Sequence, residues 1–192
     1  VLGIVKPVVY GNSFGGMVAM AYAARHPDHP SKLILSSTAA RMRFDETYRM
    51  MEERGGKDAR AIAERFWTTT DDGAIADYMR VCMPLYNPPG GNAELQAPAR
   101  RRAFLRGDTL RYFSTGEMRT MDARAGLSKI KCPTLITVGD YDPITPVVCS
   151  REIQDVIPNG VSRLEIFEGA GHGVHRDQPD RAERVMRAFL SA

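Results

Sequence analysis

The chain has 192 residues, of which 43% are hydrophobic and 26% charged, a composition that suits a soluble globular protein with one substantial core. Its 26 lysines and arginines stand against 23 aspartates and glutamates, and the resulting net charge of +3 is too small to indicate a nucleic-acid or membrane partner. No apolar run approaches the ~20 residues that would span a bilayer, and the start lacks a secretory signal pattern, so a cytoplasmic location is expected.

The three cysteines, Cys82, Cys132 and Cys149, are odd in number and widely spaced. They fit no metal-ligand pattern, so the sequence predicts reduced, structural thiols and neither a metal site nor a cofactor. The chain also starts at Val1 rather than methionine and reaches a strand-like run at once, which is an unusual beginning for an intact domain.

The first predicted element is a strand that leads through a tight turn into a helix. The apolar run Pro7–Tyr10 continues into Gly11-Asn12-Ser13-Phe14-Gly15, and small or apolar residues follow as far as Ala24. In this context the spacing Gly-x-Ser-x-Gly is typical of a nucleophile elbow, which exposes a serine hydroxyl at a strained turn. Gly11 and Gly15 are expected to leave room where a side chain would collide with that turn. The spacing alone also fits an ordinary glycine-rich connection.

A second strand follows closely. The helix after Ser13 is expected to end near Arg25, because His26 precedes a proline and such residues avoid the helical region. Lys32–Leu35 is the next apolar run. Val8–Tyr10 shows no polar alternation, so we expect a parallel sheet with helices on both faces and a βαβ unit at its start.

The pattern changes between Ser37 and Cys132, where no convincing strand occurs. Apolar residues recur at helical spacing, and breakers follow at Gly55-Gly56, Asp71-Asp72-Gly73 and Asn87–Asn92. We interpret this stretch as a helical cap inserted over the strand ends. The predicted division is therefore residues 1–38 and 128–192 for the core and 39–127 for the cap. The triplet Arg100-Arg101-Arg102 is interpreted as a solvated helix face, because the charges of the cap are nearly balanced.

Regular α/β order returns with the strand Pro133–Gly139, which ends in the loop Asp140-Tyr141-Asp142-Pro143. Ligands bind at the carboxyl ends of strands in open α/β sheets. A helix from about Pro146 to Val156 is followed by Ser162–Phe167, whose polar alternation favours a strand at the sheet edge. The loop Glu168–Gly173 comes next.

The last element is a helix that begins at Pro179, a favoured first-turn residue. Its predicted apolar stripe consists of Ala182, Val185, Met186, Phe189 and Leu190.

Three reactive side chains thus follow three different strands: Ser13, an aspartate of the Asp140–Asp142 turn, and His172. Serine is a weak nucleophile, histidine can accept its proton near neutral pH, and a carboxylate can fix the histidine tautomer. Asp142 is preferred to Asp140 because it lies further into the loop and Pro143 holds it extended. His175 is the alternative base, but it lacks the flanking glycines of His172.

These motifs together resemble the C-terminal two-thirds of a capped α/β-hydrolase. The matching segments are Gly11–Gly16, Gly139–Pro146 and Gly169–Gly173. The resemblance implies that Ser13 is the nucleophile, Asp142 the acid and His172 the base. It also implies that the backbone N–H of Phe14 supplies half of the oxyanion hole.

Two branches of this superfamily share features with the chain. Gly116-Glu117-Met118-Arg119 and Asp142–Pro146 resemble proline iminopeptidase-like hydrolases, in which acidic cap residues hold the free amino group of the substrate. This resemblance makes Glu117 the candidate for that role, although the branch usually carries tryptophan at the position of Phe14. The elbow itself looks more like carbon–carbon bond hydrolases of aromatic ring-cleavage products, which commonly have tryptophan where this chain has Gly173.

The resemblance further implies that the N-terminal strands of the fold, with the loop that supplies the second oxyanion donor, are absent from this chain. One such donor is worth roughly 3 kcal/mol of transition-state stabilisation. Val8–Tyr10 would then be an exposed strand edge. Three functions stay open: a serine hydrolase of small esters or N-terminal amides, a carbon–carbon bond hydrolase, and a catalytically incomplete half-domain. The expected partners are a small-molecule substrate and either the missing part of the fold or a second chain paired on that edge.

Overall fold

A computed structural model describes residues 3–69, 71–90 and 106–192 of the chain. The triplet Arg100–Arg102 and the end of the predicted break at Asn87–Asn92 lie outside these residues.

The core of the described chain is a four-stranded parallel sheet, which confirms the predicted α/β class. The strands follow one another across the sheet in chain order. They are β1 (Val8–Asn12), β2 (Lys32–Ser36), β3 (Thr134–Gly139) and β4 (Ser162–Phe167). In register, Tyr10 pairs with Ile34 and Ile34 pairs with Leu135. All four strands therefore end at the same edge of the sheet, where ligands bind in folds of this kind.

The helices of the described residues fall into two groups. Those that accompany the sheet are α1 (Phe14–Arg25), α7 (Val147–Val156), α8 (Val174–Asp177) and α9 (Pro179–Ser191). Those between β2 and β3 are α2 (Phe44–Thr68), α3 (Asp72–Asp77), α4 (Gly107–Thr115), α5 (Glu117–Thr120) and α6 (Arg124–Leu127). A π-helical turn (Tyr78–Cys82) and a 3₁₀ turn (Met83–Tyr86) extend α3. No described helix is both long and apolar enough to cross a membrane.

Helices cover both faces of the sheet. Alternate residues of a strand point to opposite faces, so each of β2 and β3 contributes side chains to two separate clusters. Leu33 and Leu35 pack in the large core cluster together with residues of α1 and α7. Ile34 points the other way and contacts Phe189 of α9. Leu190, which the sequence places in the same apolar stripe as Phe189, is 44% exposed, so that part of the expectation is wrong.

Strand β1 is an edge of the sheet and is not covered as its apolar sequence suggests. Val8 and Tyr10 are each 48% exposed, whereas Leu33 on the neighbouring strand is fully buried. An apolar run therefore indicates a strand here without showing whether both of its faces are covered. The opposite edge is β4, as its alternation of Arg163 and Glu165 with apolar residues predicts.

The region between β2 and β3 is helical in its described residues, as expected. The predicted break at Gly55-Gly56 is a kink within α2, where Gly56 has a φ of 76°. The next predicted break coincides with the start of α3, where the Asp71 carboxylate accepts a hydrogen bond from the Ala74 N–H at 2.9 Å. Phe66 and Tyr78 stack at 4.0 Å and share the large core cluster with the sheet. The boundaries of the cap at residues 39 and 127 stay a prediction.

Candidate active site

Ser13 lies in a strained turn between β1 and α1. Its φ of 52° is in the left-handed region that non-glycine residues rarely adopt. The turn is held by neighbours: the Ser13 N–H donates to the Ser36 carbonyl at 2.9 Å, and the Ser13 carbonyl accepts from the Gly16 N–H at 2.9 Å and from the Thr38 hydroxyl at 2.7 Å. The end of β2 and the residues after it therefore fix the position of the serine.

Two glycines of the elbow are required by close contacts, but they are not the two that the motif suggests. A Cβ on Gly11 would lie 2.3 Å from the Gly15 carbonyl oxygen, and one on Gly16 would lie 2.5 Å from the Thr38 hydroxyl oxygen. A Cβ on Gly15 would meet no described atom within 4 Å. The expectation for Gly11 is therefore confirmed. The expectation for Gly15 is wrong, because Thr38, which follows β2, lies close to Gly16 instead.

The structure brings Ser13, His172 and Asp142 into one chain of hydrogen bonds. His172 Nε2 lies 2.9 Å from Ser13 Oγ, and His172 Nδ1 lies 2.8 Å from Asp142 Oδ2. Because an ionised carboxylate only accepts, Nδ1 carries the proton and Nε2 is left to accept the serine hydroxyl. The histidine side chain is 12% exposed and the Asp142 side chain is fully buried.

Asp142 is held as an anion by several donors on its own loop. Its Oδ1 accepts the N–H groups of Ile144 and Thr145 at 2.9 and 3.0 Å, and its Oδ2 accepts the Thr145 hydroxyl at 2.8 Å. Burial raises the pKa of this carboxyl, but attraction to His172 and the hydrogen bonds from His172 and Thr145 outweigh it and hold the pKa below its ordinary value. The sequence reasoning missed Thr145. An aspartate that accepts N–H groups two and three residues later is a common turn pattern, and that signal could have found it.

The two alternatives raised from the sequence lie elsewhere. Asp140 Oδ1 accepts the Gly169 N–H at 2.7 Å, so this carboxylate joins the acid loop to the loop of His172. His175 lies on α8 and lines a small pocket with Tyr10 and Met186. Burial, and to a lesser extent the nearby Arg176, lower its pKa. The hydrogen bond to Ser13 comes from His172.

Phe14 and Glu117 are the other two residues that the sequence singles out, and the structure places them on different helices. Phe14 is the first residue of α1, where backbone N–H groups have no acceptor within the helix and the helix dipole is positive. Its ring packs edge-on against Phe113 of α4, with 4.6 Å between centroids. Glu117 begins α5 and is exposed. Within the described ranges no hydrogen bond joins Glu117 to Ser13, Asp142 or His172.

The cysteines are buried and unpaired with one another. Burial raises the pKa of Cys82 and of Cys149 to about 12 and also raises that of Cys132. These raised pKa values favour the protonated thiols at neutral pH, as expected for structural cysteines. Among residues 3–69, 71–90 and 106–192, no group of three or more His, Cys, Asp or Glu side chains could hold a metal ion.

A serine at a strand-to-helix turn, followed by an acid loop and a histidine loop after later strands, defines a hydrolase of the α/β class. The sequence profile of the family described as "alpha/beta hydrolase fold" matches residues 2–179. The chain belongs to this family.

Several named proteins are similar to the chain. It is 30% identical over 167 residues to a pimeloyl-[acyl-carrier protein] methyl ester esterase of Chromobacterium violaceum, covering 85% of this chain and 62% of that protein. It is 27% identical over 202 residues to a proline iminopeptidase of Thermoplasma volcanium, covering 99% of this chain and 67% of that protein. The chain therefore spans about two-thirds of the length of these relatives.

Solved structures support the same fold. An esterase from Exiguobacterium antarcticum superposes with a TM-score of 0.71 at 22% identity, over 100% of this chain and 69% of the other. An α/β fold family hydrolase from Bacillus anthracis gives a TM-score of 0.70 at 22% identity, over 98% and 68% of the two chains. At this identity the likeness concerns the fold alone.

Proposed function

We propose that the chain is the catalytic part of a serine hydrolase that cleaves a small ester or an N-terminal amide through an acyl-enzyme on Ser13. The observation that carries this proposal is the continuous hydrogen bonding from Ser13 Oγ to His172 and from His172 to the buried Asp142. The strained backbone of Ser13 supports it, because such strain persists at functional turns that their surroundings hold in place.

The proposed reaction follows from this geometry. Ser13 Oγ attacks the substrate carbonyl carbon while its proton passes to His172 Nε2, and Asp142 stabilises the imidazolium without taking the proton. The tetrahedral intermediate collapses as the leaving alcohol or amine takes the proton from His172, which leaves an ester on Ser13. Water then attacks that ester with His172 as base, and the acid product departs as the serine regains its proton.

The negative oxygen of the intermediate requires hydrogen-bond donors. The Phe14 N–H is the proposed first donor, because it lies at the start of α1 directly after the nucleophile. We propose that a segment outside this chain supplies the second donor. Without it, the rate would fall by about a hundredfold to a thousandfold.

The substrate class is proposed from the relatives. Their names include a methyl ester esterase and several proline iminopeptidases, which favours ester or N-terminal amide cleavage over cleavage of a carbon–carbon bond. Glu117 is the proposed acceptor for a free amino group, in line with the iminopeptidase resemblance. It lies on the short helix after α4, which carries Phe113 against Phe14.

We also propose that strand β1 pairs with another strand in the active form of the protein. Val8 and Tyr10 are exposed along this edge, and the preceding Val5 is 81% exposed. An edge strand presents unpaired N–H and carbonyl groups that another strand can satisfy. The pairing strand comes either from the remaining part of the fold or from a second chain.

Labelling with a fluorophosphonate probe tests the proposed nucleophile. We expect the full-length protein to be labelled on Ser13 and the Ser13→Ala variant to be unlabelled. Ser128→Ala, which removes an exposed serine after α6, is the matched control and should be labelled as the wild type is. An unlabelled wild-type protein would overturn the proposal. A panel of p-nitrophenyl esters and proline-p-nitroanilide then separates esterase from iminopeptidase activity.

A further inference from the structure

Thr145 lies between the proposed acid and the proposed base. Its side-chain hydroxyl oxygen is 2.8 Å from Asp142 Oδ2 and 3.4 Å from His172 Nδ1, and the residue is 1% exposed. The hydroxyl has one proton to donate. The shorter distance and the negative charge of the carboxylate direct that proton to Asp142.

We propose that the Thr145 hydroxyl is a positioning group for the catalytic carboxylate and, through it, for the proton on His172 Nδ1. This inference rests on the proposed Ser13–His172–Asp142 mechanism. Asp142 Oδ1 is occupied by the N–H groups of Ile144 and Thr145, and Oδ2 is shared by the Thr145 hydroxyl and His172. With four donors around it, the carboxylate has one orientation, and in that orientation Oδ2 faces the imidazole.

Few charged groups of the described chain stabilise the negative charge of Asp142, so the hydrogen bond from the Thr145 hydroxyl contributes to that stabilisation. The ionisable groups that interact electrostatically with the carboxylate include His172, Arg54, Tyr86 and Cys149. Burial raises the pKa of Tyr86 and of Cys149, so both are neutral near pH 7. Of these four groups, His172 and Arg54 can offer positive charge, and the hydroxyl of Thr145 is the one side-chain donor besides His172 on Oδ2 among the described residues.

Removing the hydroxyl has two expected effects. The carboxylate loses part of its fixed orientation, so the transition state loses stabilisation while substrate binding changes little. The remaining negative charge also acts more strongly on His172, which favours the imidazolium over the neutral base. The acidic limb of the kcat/KM profile should therefore move to higher pH by roughly 0.5 to 1 unit, the equivalent of one net hydrogen bond.

The experiment compares Thr145→Val, which has nearly the same shape, with Thr145→Ser, which keeps the hydroxyl. In the full-length protein we expect Thr145→Val to lower kcat about tenfold with KM within about twofold, because a hydrogen bond to a charged group is at stake. Thr145→Ser should restore kcat to within about threefold of wild type and restore the pH profile.

Thr47→Val is the matched control. Thr47 is also buried and donates its hydroxyl to the carbonyl of Ile144 on the same loop at 3.2 Å, but it does not contact the carboxylate. It should lower thermal stability as Thr145→Val does, without moving the acidic limb. If the two valine variants give the same kcat and pH profile, or if Thr145→Ser behaves like Thr145→Val, the positioning role is overturned.

Two additions keep the test decisive. Should Thr145→Val fail to fold, Thr145→Ala carries the same comparison and should show the same loss of kcat. The proton resonance of His172 Nδ1–H in the NMR spectrum reports the hydrogen bond to Asp142 without any turnover. It should move in Thr145→Val and be kept in Thr145→Ser, even if fluorophosphonate labelling of wild type fails and the proposed activity is rejected. An unmoved resonance in Thr145→Val would overturn the inference independently.

Discussion

The backbone N–H of His172 donates to the carbonyl oxygen of Tyr86 at 2.9 Å, and the two rings meet edge-on with 5.4 Å between centroids. Tyr86 ends the 3₁₀ turn of the helical insertion, and its hydroxyl lies 2.7 Å from that of Tyr78. The loop that carries the proposed base is therefore held by the insertion as well as by the sheet. Loss of this contact is expected to affect catalysis through the position of the histidine.

Gly171→Ala tests this coupling. A Cβ at Gly171 would lie 2.1 Å from the Tyr86 carbonyl oxygen, a backbone atom that cannot move aside by itself. We expect a loss of roughly 1–3 kcal/mol in the free energy of unfolding, as for other overpacked sites, and at least a tenfold fall in kcat/KM. Thermal denaturation and steady-state kinetics measure the two effects. Unchanged values of both would show that the Tyr86–His172 contact does not hold the loop.

Alanine substitutions at Gly15 and Gly16 are expected to change the free energy of unfolding in opposite directions. Gly15→Ala adds a Cβ that meets no described atom within 4 Å at a helical residue, so we expect a gain of about 0.5–1 kcal/mol in unfolding free energy. Gly16→Ala places its Cβ 2.6 Å from the Thr38 Cβ and should be destabilising. Chemical denaturation of the two variants measures the difference. If Gly15→Ala were the more damaging change, the assignment of the close contact to Gly16 would be wrong.

These glycines also illustrate what the sequence can predict. The sequence predicts that Ser13, Asp142 and His172 lie close together because each follows a predicted strand, and the carboxyl ends of parallel strands meet at one edge of the sheet. The contact of Thr145 with Asp142 lies within one turn, and the aspartate turn pattern could have predicted it. The hydrogen bond from the His172 N–H to the Tyr86 carbonyl joins segments that are far apart in the chain, and no spacing rule encodes it. The motif includes Gly15, but a side chain is excluded at Gly16 instead. The residue that excludes it is Thr38, which follows a different strand.

The exposure of β1 shows a second limit. The apolar sequence of Val8–Tyr10 predicts a buried strand, because apolar side chains favour burial. Whether a neighbour covers it depends on the order of strands in the sheet, which the local pattern does not contain. The expectation that β1 lies at an edge of the sheet came from the resemblance to a family whose fold has further strands, and not from the hydrophobic pattern.

Asp142→Asn separates the catalytic and structural roles proposed for this carboxylate. We expect kcat to fall by about four orders of magnitude, because asparagine can favour the wrong histidine tautomer. Burial raises the pKa of Asp142, but attraction to His172 and the hydrogen bonds of His172 and Thr145 outweigh it, so its folded pKa lies below its unfolded value of about 3.9. Its contribution to stability is therefore present above about pH 4 and lost as the pH falls through the folded pKa.

The variant should accordingly lose less unfolding free energy than wild type between about pH 5 and about pH 2. Asp45→Asn is the control: Arg43 lowers the pKa of this mostly exposed carboxyl, and screening by solvent should keep its effect small. Urea denaturation across this pH range measures both. Parallel curves for wild type and Asp142→Asn would contradict the expected linkage.

Glu117→Gln tests recognition of a free amino group. Because Glu117 is exposed, an ion pair with the substrate should be worth little, so we expect KM for proline-p-nitroanilide to rise only about twofold to fivefold. Hydrolysis of p-nitrophenyl esters, which lack the amino group, should be unchanged. Glu183→Gln on α9 is the control, since its carboxylate pairs with Arg187 on the same helix. An equal effect of Glu117→Gln on both substrates would argue against an amino anchor.

Val8→Lys tests the exposed edge of the sheet. Val8 is 48% exposed on β1, and a lysine on an edge strand opposes pairing with another chain. When the 192-residue chain is studied alone, we expect wild type to associate and Val8→Lys to be largely monomeric in light scattering after size exclusion. Val18→Lys is the matched control, because Val18 is 52% exposed but lies on helix α1, where no backbone edge is offered. A monodisperse wild-type monomer, or equal dissociation by both variants, would show that the edge of β1 does not recruit a second chain.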